Sequence, residues 1–413
     1  MAIRALPLSR FDHLTYRGNS KQTRYGWLRL TPAFSIHLIA DLIRALPPNA
    51  RVLDPFCGTG TTALVCAEEG IASETTDINP FLLWLGATKA AGYSRIDIAE
   101  ARKVSDHAVD VVRSSNGTQP WIPALFQIEK WWDSQTLEKI AKIRAVIEEQ
   151  SGKLSANTSN LLKVAFCRTM IETANVSFGH QSMSFKKADE QMSLAVPMDI
   201  AEAVAANWQE STQSVFKAAE TPIASQPRFV YCDARNLVKE LEREAFDCVI
   251  TSPPYPNRMS YIRELRPYMY WLGFLEDAKK AGEMDWEAIG GTWGCATSNL
   301  MKWEHPADIA VPFEAFPRIL AAIANTSALL SRYVEKYFCD MMLHVRDLFD
   351  VVKPGGTVHY VVGNSKFYEV VLPVEEIFAA LFQSAGFASV KVEAIRKRTS
   401  KKELFEYLVS GRK

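Results

Sequence analysis

An α/β protein built on an open, mostly parallel sheet is what this sequence predicts, and three observations predict it. Arg51-Val52-Leu53 is a short apolar strand that runs into a glycine turn, Asp54-Pro55-Phe56-Cys57-Gly58-Thr59-Gly60, and then a helix over 61–69. Phe246-Asp247-Cys248-Val249-Ile250 has the length and apolarity of a buried parallel strand, and Thr251-Ser252-Pro253-Pro254-Tyr255 ends it abruptly. Near the C-terminus a helix over 327–351, the stop Pro354-Gly355-Gly356 and a strand over 357–362 resume the same alternation.

The totals bound the reading. A chain of 413 residues has room for two or three domain-sized units, and 48% apolar with 23% charged residues is ordinary for a soluble globular protein. There is no apolar run long enough for a membrane span, and the N-terminal apolar stretch is too short for a signal peptide. Seven cysteines lie without a CxxC pair and seven histidines without ligand spacing, which points to a reducing cytoplasm and to no metal site. A net charge of zero excludes a uniformly basic protein but not a local basic stripe.

In chain order, residues 1–30 carry Arg4, Arg10, Arg17, Lys21, Arg24 and Arg29 against the single acid Asp12, with Tyr16, Tyr25 and Trp27 interleaved. This reads either as a solvated terminal segment or as an arm that contacts nucleic acid. Thr31-Pro32-Ala33-Phe34 opens a helix with Ile36, Ile39, Ala40 and Ile43 at helical spacing. After the glycine turn, 72–76 is a second strand that delivers Asp77, placed to accept both hydroxyls of a ribose. The glycine turn lacks a Walker lysine, which argues against a phosphate-cradling loop.

From about 95 to 226 the alternation stops. Helices are expected from Ser134, over 161–173 and over 200–219, with Trp121, Trp131 and Trp132 in their core. So long a stretch is a helical insertion rather than a loop. The strand 228–231 then ends in Cys232-Asp233-Ala234, and a helix over 235–244 leads to the strand before the Pro-Pro corner. Beyond that corner Arg258, Arg263 and Arg266 stand among Tyr261, Tyr268 and Tyr270, combining charge with flat stacking faces, though some of these rings must be core. Residues 290–303 lack periodicity and read as an ordered loop. A helix over 374–384 and strands over 388–395 and 404–409 complete the pattern. If the penultimate strand is parallel to the rest, the basic loop Arg396, Lys397, Arg398, Lys401 and Lys402 lies on the active rim; a solubilising hairpin is the bland alternative.

Taken together, TSPPY after a buried strand and DPFCGTG after an earlier one resemble the S-adenosylmethionine-dependent DNA methyltransferases that modify exocyclic amines. The Ser-Pro-Pro-Tyr form is similar to the cytosine-N4 branch. The resemblance covers the chain outside its two insertions and implies the class I methyltransferase fold, a seven-stranded Rossmann-like sheet. It divides the chain into 1–94 (arm and cofactor half), 95–226 (helical insertion), 227–275 (TSPPY half), 276–326 (a loop-rich insertion suited to target recognition) and 327–413 (the end of the sheet). It implies cofactor contacts at Thr31, Ala33, Phe34, Asp54, Pro55, Phe56, Gly58, Gly60, Thr61, Asp77, Ile78, Asp233 and Ala234, with Asp233 beside the adenine. It also implies double-stranded DNA as partner, and compatibility with a cognate restriction endonuclease.

The chemistry fits those residue types. The lone pair of an exocyclic amine is delocalised into its ring, so acceptors aimed at the two N–H bonds favour a pyramidal, nucleophilic nitrogen. The Ser252 hydroxyl and the Pro253 carbonyl, stiffened by Pro254, are assigned to that task, and Tyr255 to stacking on a base turned out of the duplex. No Pro-Cys pair exists to attack a cytosine ring, which excludes C5 methylation. Adenine-N6 transfer, an RNA or protein substrate, and a non-catalytic nucleic-acid-binding subunit are the competing readings. Ser252 in place of the Asp or Asn usual in those relatives, together with the intact glycine turn, disfavours them.

Overall fold

The computed structural model describes residues 4–5, 23–28, 30, 35–114, 120–177, 184–186, 199–257, 260–292, 295–398 and 403–413. Seven strands form the central sheet: β1 (Arg51–Asp54), β2 (Ala72–Asp77), β3 (Arg228–Tyr231), β4 (Phe246–Thr251), β5 (Val352–Gly363), β6 (Ala388–Lys397) and β7 (Phe405–Arg412). Their spatial order is β6-β7-β5-β4-β1-β2-β3, and the two-residue segment Arg4–Ala5 pairs with the outer edge of β6. Strand β7 runs antiparallel to both neighbours, and the other pairs are parallel. The chain order reverses between β1 and β4, so their carboxyl ends flank the crevice where doubly wound sheets take ligands.

Alternation along the strands explains the two covered faces. Val52, Cys248 and Ile250 point to one side, against Ile39 and Ile43 of the helix Ile36–Arg44 and Val65 of the helix Thr61–Glu69. Leu53, Val249 and Val358 point to the other, against Val345 and Leu348 of Ala328–Val351 and Phe378 and Phe382 of Val374–Ala385. The long helix passes straight into β5, which contains Pro354, Gly355 and Gly356 within a register shift against β4, so those residues irregularise a strand rather than precede one. The helix after the arm starts at Ile36 with Ser35 as its cap, its hydroxyl accepting from the His37 N–H.

The insertion is helical as expected, but richer. Arg95–Arg113, Ser134–Ser151, Ala156–Glu172 and Ile200–Ala219 bury a common core with Phe81 and Leu85 of the helix Pro80–Ala90 and Trp271 of Tyr261–Trp271. The cap of the second of these is Asp133, whose carboxylate takes the Gln135 and Thr136 N–H groups, rather than Ser134. Trp131 and Trp132 are core, whereas Trp121 is 51% exposed and carries the Arg144 guanidinium 4.1 Å from its ring centre. Two further expectations are corrected. The segment before β4 is a short 3-10 turn, Ala234–Lys239, kinked at Asn236. The second insertion is helical, over Ala278–Glu287, Cys295–Lys302 and Phe316–Ala324; Phe316, Ile319, Leu320 and Ile323 repeat along one face of the last of these and pack on the long helix.

Arg24 belongs to this packing and not to a free arm. It is 1% exposed, and its guanidinium donates to the carbonyls of Lys89 and Ala91 at the end of one helix and of Ala218, Ala219 and Thr221 at the end of another. Two helix C-termini, each carrying negative partial charge, converge on one buried cation. Tyr25 donates to Glu68 and Trp27 is buried, so the described aromatics of the arm are structural as well. No helix among the described residues is long and apolar enough to cross a membrane.

Candidate functional site

The glycine turn after β1 is held from below and from the side. The Cys57 N–H reaches back to the Thr76 carbonyl of β2 at 2.8 Å, and the buried Lys89 ammonium donates to the Thr59 carbonyl at 3.0 Å. Burial lowers the Lys89 pKa to about 8. Gly60 has φ +73°, and a Cβ there would stand 2.7 Å from the Gly86 Cα, so a side chain is excluded both by conformation and by space. Asp54 faces inward: its Oδ1 accepts the Thr251 hydroxyl at 2.6 Å and the Phe56 N–H at 3.1 Å. Burial pushes its carboxyl up to about 7 against those bonds. Asp54 therefore ties the β1 turn to the end of β4. Asp54 and Thr61 are buried behind the residues that line the cleft.

Asp77 ends β2 at the cleft. Its Oδ1 accepts the Asn79 N–H at 2.9 Å and its Oδ2 the Gly58 N–H at 3.2 Å, which fixes the carboxylate while each oxygen keeps a lone pair for a ligand. Burial raises its pKa to about 6, and backbone N–H groups oppose that rise. Pro55, Phe56, Gly58, Ile78, Asp233, Ala234, Ser252, Pro254 and Tyr261 lie along the same cleft. The arrangement fits an adenosyl group: a bare glycine turn, a fixed carboxylate beyond it, and apolar walls. If so, Asp77→Ala weakens S-adenosylmethionine binding by about 1–3 kcal/mol in calorimetry. A folded variant with unchanged affinity removes the ribose assignment.

At the β4 end Pro253 carries no N–H to continue the ladder. There the Ser252 hydroxyl donates to the Val361 carbonyl of β5 at 3.0 Å. The Tyr337 hydroxyl donates to the Pro254 carbonyl at 2.8 Å, and the Tyr261 hydroxyl accepts the Tyr255 N–H at 3.4 Å. Among the described residues the Pro253 carbonyl accepts no hydrogen bond. Behind Phe56 the buried His344 bridges the Ala234 carbonyl at 2.8 Å and the Tyr360 hydroxyl at 2.6 Å. The carbonyl needs a donor, so Nδ1 carries the proton and Nε2 accepts from Tyr360; burial holds the imidazole pKa near 4, hence neutral.

The Tyr255 ring stands beside the cleft, its hydroxyl next to that of Ser252. It packs on Gly363, where a Cβ would meet it at 2.9 Å, and the Arg398 guanidinium lies 5.8 Å from its centre. Strand β6 is parallel to the main sheet, so its end does reach this rim. Of the basic loop, Arg396 is taken up by a bidentate pair with Glu406 at 2.6 Å, Lys397 is exposed, and Lys401 and Lys402 lie outside the described residues. Arg263 is exposed, but Arg266 is half-buried with its guanidinium 5.5 Å over Trp131, and Tyr268 and Tyr270 are core. Arg266 thus packs on the insertion through Trp131. Thr31, Ala33, Phe34 and Arg258 also fall outside the described residues.

Sequence reasoning missed several neighbours. Leu30, Leu82, Ile262 and Leu265 line the cleft from helices and from the arm, and Glu287, Ala288 and Ile289 line it from the second insertion. Only distant chain segments bring these together, and no local pattern marks them.

No protein-family model matches the chain. Among curated proteins it is similar to the Type II methyltransferase M.BsoBI of Geobacillus stearothermophilus, at 23% identity over 93% of this chain and 82% of that protein. It is also similar to the Type II methyltransferases M.AvaI of Nostoc sp. and M.MvaI of Kocuria varians, each at 20% identity, over 92% and 88% of this chain and 82% of each relative. Among solved structures, the rRNA methyltransferase aviRa of Streptomyces viridochromogenes aligns over 93% of this chain and 87% of its own, at 11% identity and a TM-score of 0.28.

Proposed function

We propose that this chain transfers a methyl group from S-adenosylmethionine to the exocyclic N4 amine of a cytosine in double-stranded DNA, within a specific sequence and on a base turned out of the duplex. Similarity to Type II methyltransferases over 82% of each relative's length supports methyl transfer and the DNA substrate. The observation that carries the site assignment is the Ser252 hydroxyl bond to Val361. Donating to that carbonyl, and with the Tyr255 hydroxyl beside it, the oxygen keeps lone-pair capacity to accept with. An acceptor at this point is what an amine with two N–H bonds requires.

S-adenosylmethionine, when bound, supplies an electrophilic methyl on a sulfonium. The chain's own residues do the rest. Asp77 and the Gly58 turn place the adenosyl group, Ser252 and the Pro253 carbonyl take the amine's N–H bonds, and the developing positive charge on nitrogen strengthens both hydrogen bonds. Tyr255 is the ring proposed to stack on the base, and such stacking is worth about 1–3 kcal/mol, against a flipping cost of a few. Arg263, Lys397 and Arg398, with Arg258, Lys401 and Lys402, are the cations proposed for the phosphate backbone. Such an activity is compatible with a cognate restriction endonuclease as partner and with the cytoplasm as its setting.

The deciding experiment incubates the protein with double-stranded DNA and labelled cofactor, digests the product to nucleosides and identifies them by mass spectrometry. N4-methylcytosine is expected. N6-methyladenine would replace the base assignment while keeping the acceptor geometry, since both bases present an amine on a six-membered ring. Label found only in RNA or protein would sink the substrate class.

A further inference from the structure

The sheet orders the cleft from end to end. Ser252 lies beyond β4, Gly58 beyond β1, Asp77 at the end of β2 and Asp233 beyond β3, in that spatial sequence. A cofactor with its methyl at Ser252 and its ribose at Asp77 therefore extends its adenine toward Asp233, where the resemblance placed the adenine contact. Asp233 is already committed. Its Oδ1 accepts the Arg235 backbone N–H at 2.9 Å and Nε at 3.0 Å, and its Oδ2 accepts Nη2 at 2.7 Å.

Beside it stands Glu287, on the same cleft, whose carboxylate makes no hydrogen bond or ion pair among the described residues. Its backbone is fixed by the same arginine. Arg235 Nη2 donates to the Glu287 carbonyl at 2.8 Å and Nη1 to Asp340 at 3.1 Å. Lys336 in turn bonds Asp340 at 2.6 Å and lies 4.8 Å over the ring of Trp286. The insertion is thereby clamped to the long helix, with Glu287 and the buried Ile289 on the cleft wall and the Glu287 charge felt by Tyr231 at the end of β3.

Building on the cofactor reading above, we propose that Glu287 reads the cofactor's base by accepting the exocyclic amine of the adenine ring, and that Arg235 positions it while keeping Asp233 from that role. The chemistry is directional. An amine donates to a carboxylate, whereas a 6-oxo group in its place would set two acceptors against each other.

The test is calorimetry on the full-length protein with S-adenosylhomocysteine and its 6-oxo analogue, S-inosylhomocysteine, in the absence of DNA. The wild-type protein is expected to prefer the amino form by about ten- to a hundredfold, the range for a charge-assisted hydrogen bond. E287Q is expected to bring the two ligands to within about threefold, because an amide can turn either its oxygen or its NH₂ to the ring. Asp77→Ala should weaken both ligands alike. An undiminished wild-type preference in E287Q overturns the role of Glu287 alone. Failure of the wild-type protein to bind either ligand overturns it together with the cofactor reading.

Discussion

Replacing Ser252 with Ala is expected to lower kcat for DNA methylation by about 10²–10³, the loss typical of one preorganised hydrogen-bonding group at a developing charge. Cofactor affinity should stay within about twofold, because the hydroxyl is assigned to the amine and not to the adenosyl group. The reason is the orientation of one proton. With the hydroxyl donating to Val361 at 3.0 Å, its lone pairs are fixed before any base arrives and need not reorganise during transfer. Alanine removes that acceptor and leaves the Val361 carbonyl short of a donor, so a stability loss of about 1 kcal/mol accompanies the kinetic one. Single-turnover rates with saturating cofactor separate the two effects. Ser252→Thr, which keeps the hydroxyl, should retain most of the rate. A folded Ser252→Ala variant with undiminished turnover would mean the corner has been assigned the wrong job.

That corner was legible because its chemistry is local. A buried strand, a hydroxyl and two prolines lie in consecutive residues, and the strand needs nothing distant to fix its direction. Asp77 was legible for the same reason, as the end of a strand following a glycine turn. Asp54 shows the limit: it opens the motif, yet its carboxylate turns inward to Thr251, a partner that no spacing reveals. Arg266 and Tyr268 looked like a nucleic-acid surface from composition alone. Whether a helix shows its arginines to solvent depends on what packs against it, and here the insertion does, through Trp131. Glu287 lay in 276–326, read as a loop-rich insertion suited to target recognition, since its meaning comes from Arg235 and Asp340, which reach it from other elements. Local order therefore carried the sheet and its reacting edge, while long-range charge pairing decided which carboxylate is free.

The largest loss of stability is expected at Arg24, far from the chemistry. Arg24→Met keeps most of the side-chain volume but removes the guanidinium that donates to five carbonyls at two helix ends. Some of those carbonyls can find water or shift, and the buried charge itself costs desolvation, which lowers the Arg24 pKa from its ordinary value. The net loss is then about 3–5 kcal/mol, as for other buried ionic groups stripped of one partner. Arg24→Lys should fall between, because one ammonium cannot span both helix ends as a planar fork does. The two helices belong to different parts of the chain: Pro80–Ala90 follows β2, and Ile200–Ala219 closes the insertion. Loosening their junction should let the insertion unfold before the sheet. Guanidinium unfolding followed by tryptophan fluorescence, which reports Trp208 and Trp271 in the helical core, should show an earlier transition than circular dichroism in Arg24→Met. Coincident transitions at the wild-type midpoint would return Arg24 to the status of an ordinary arm residue.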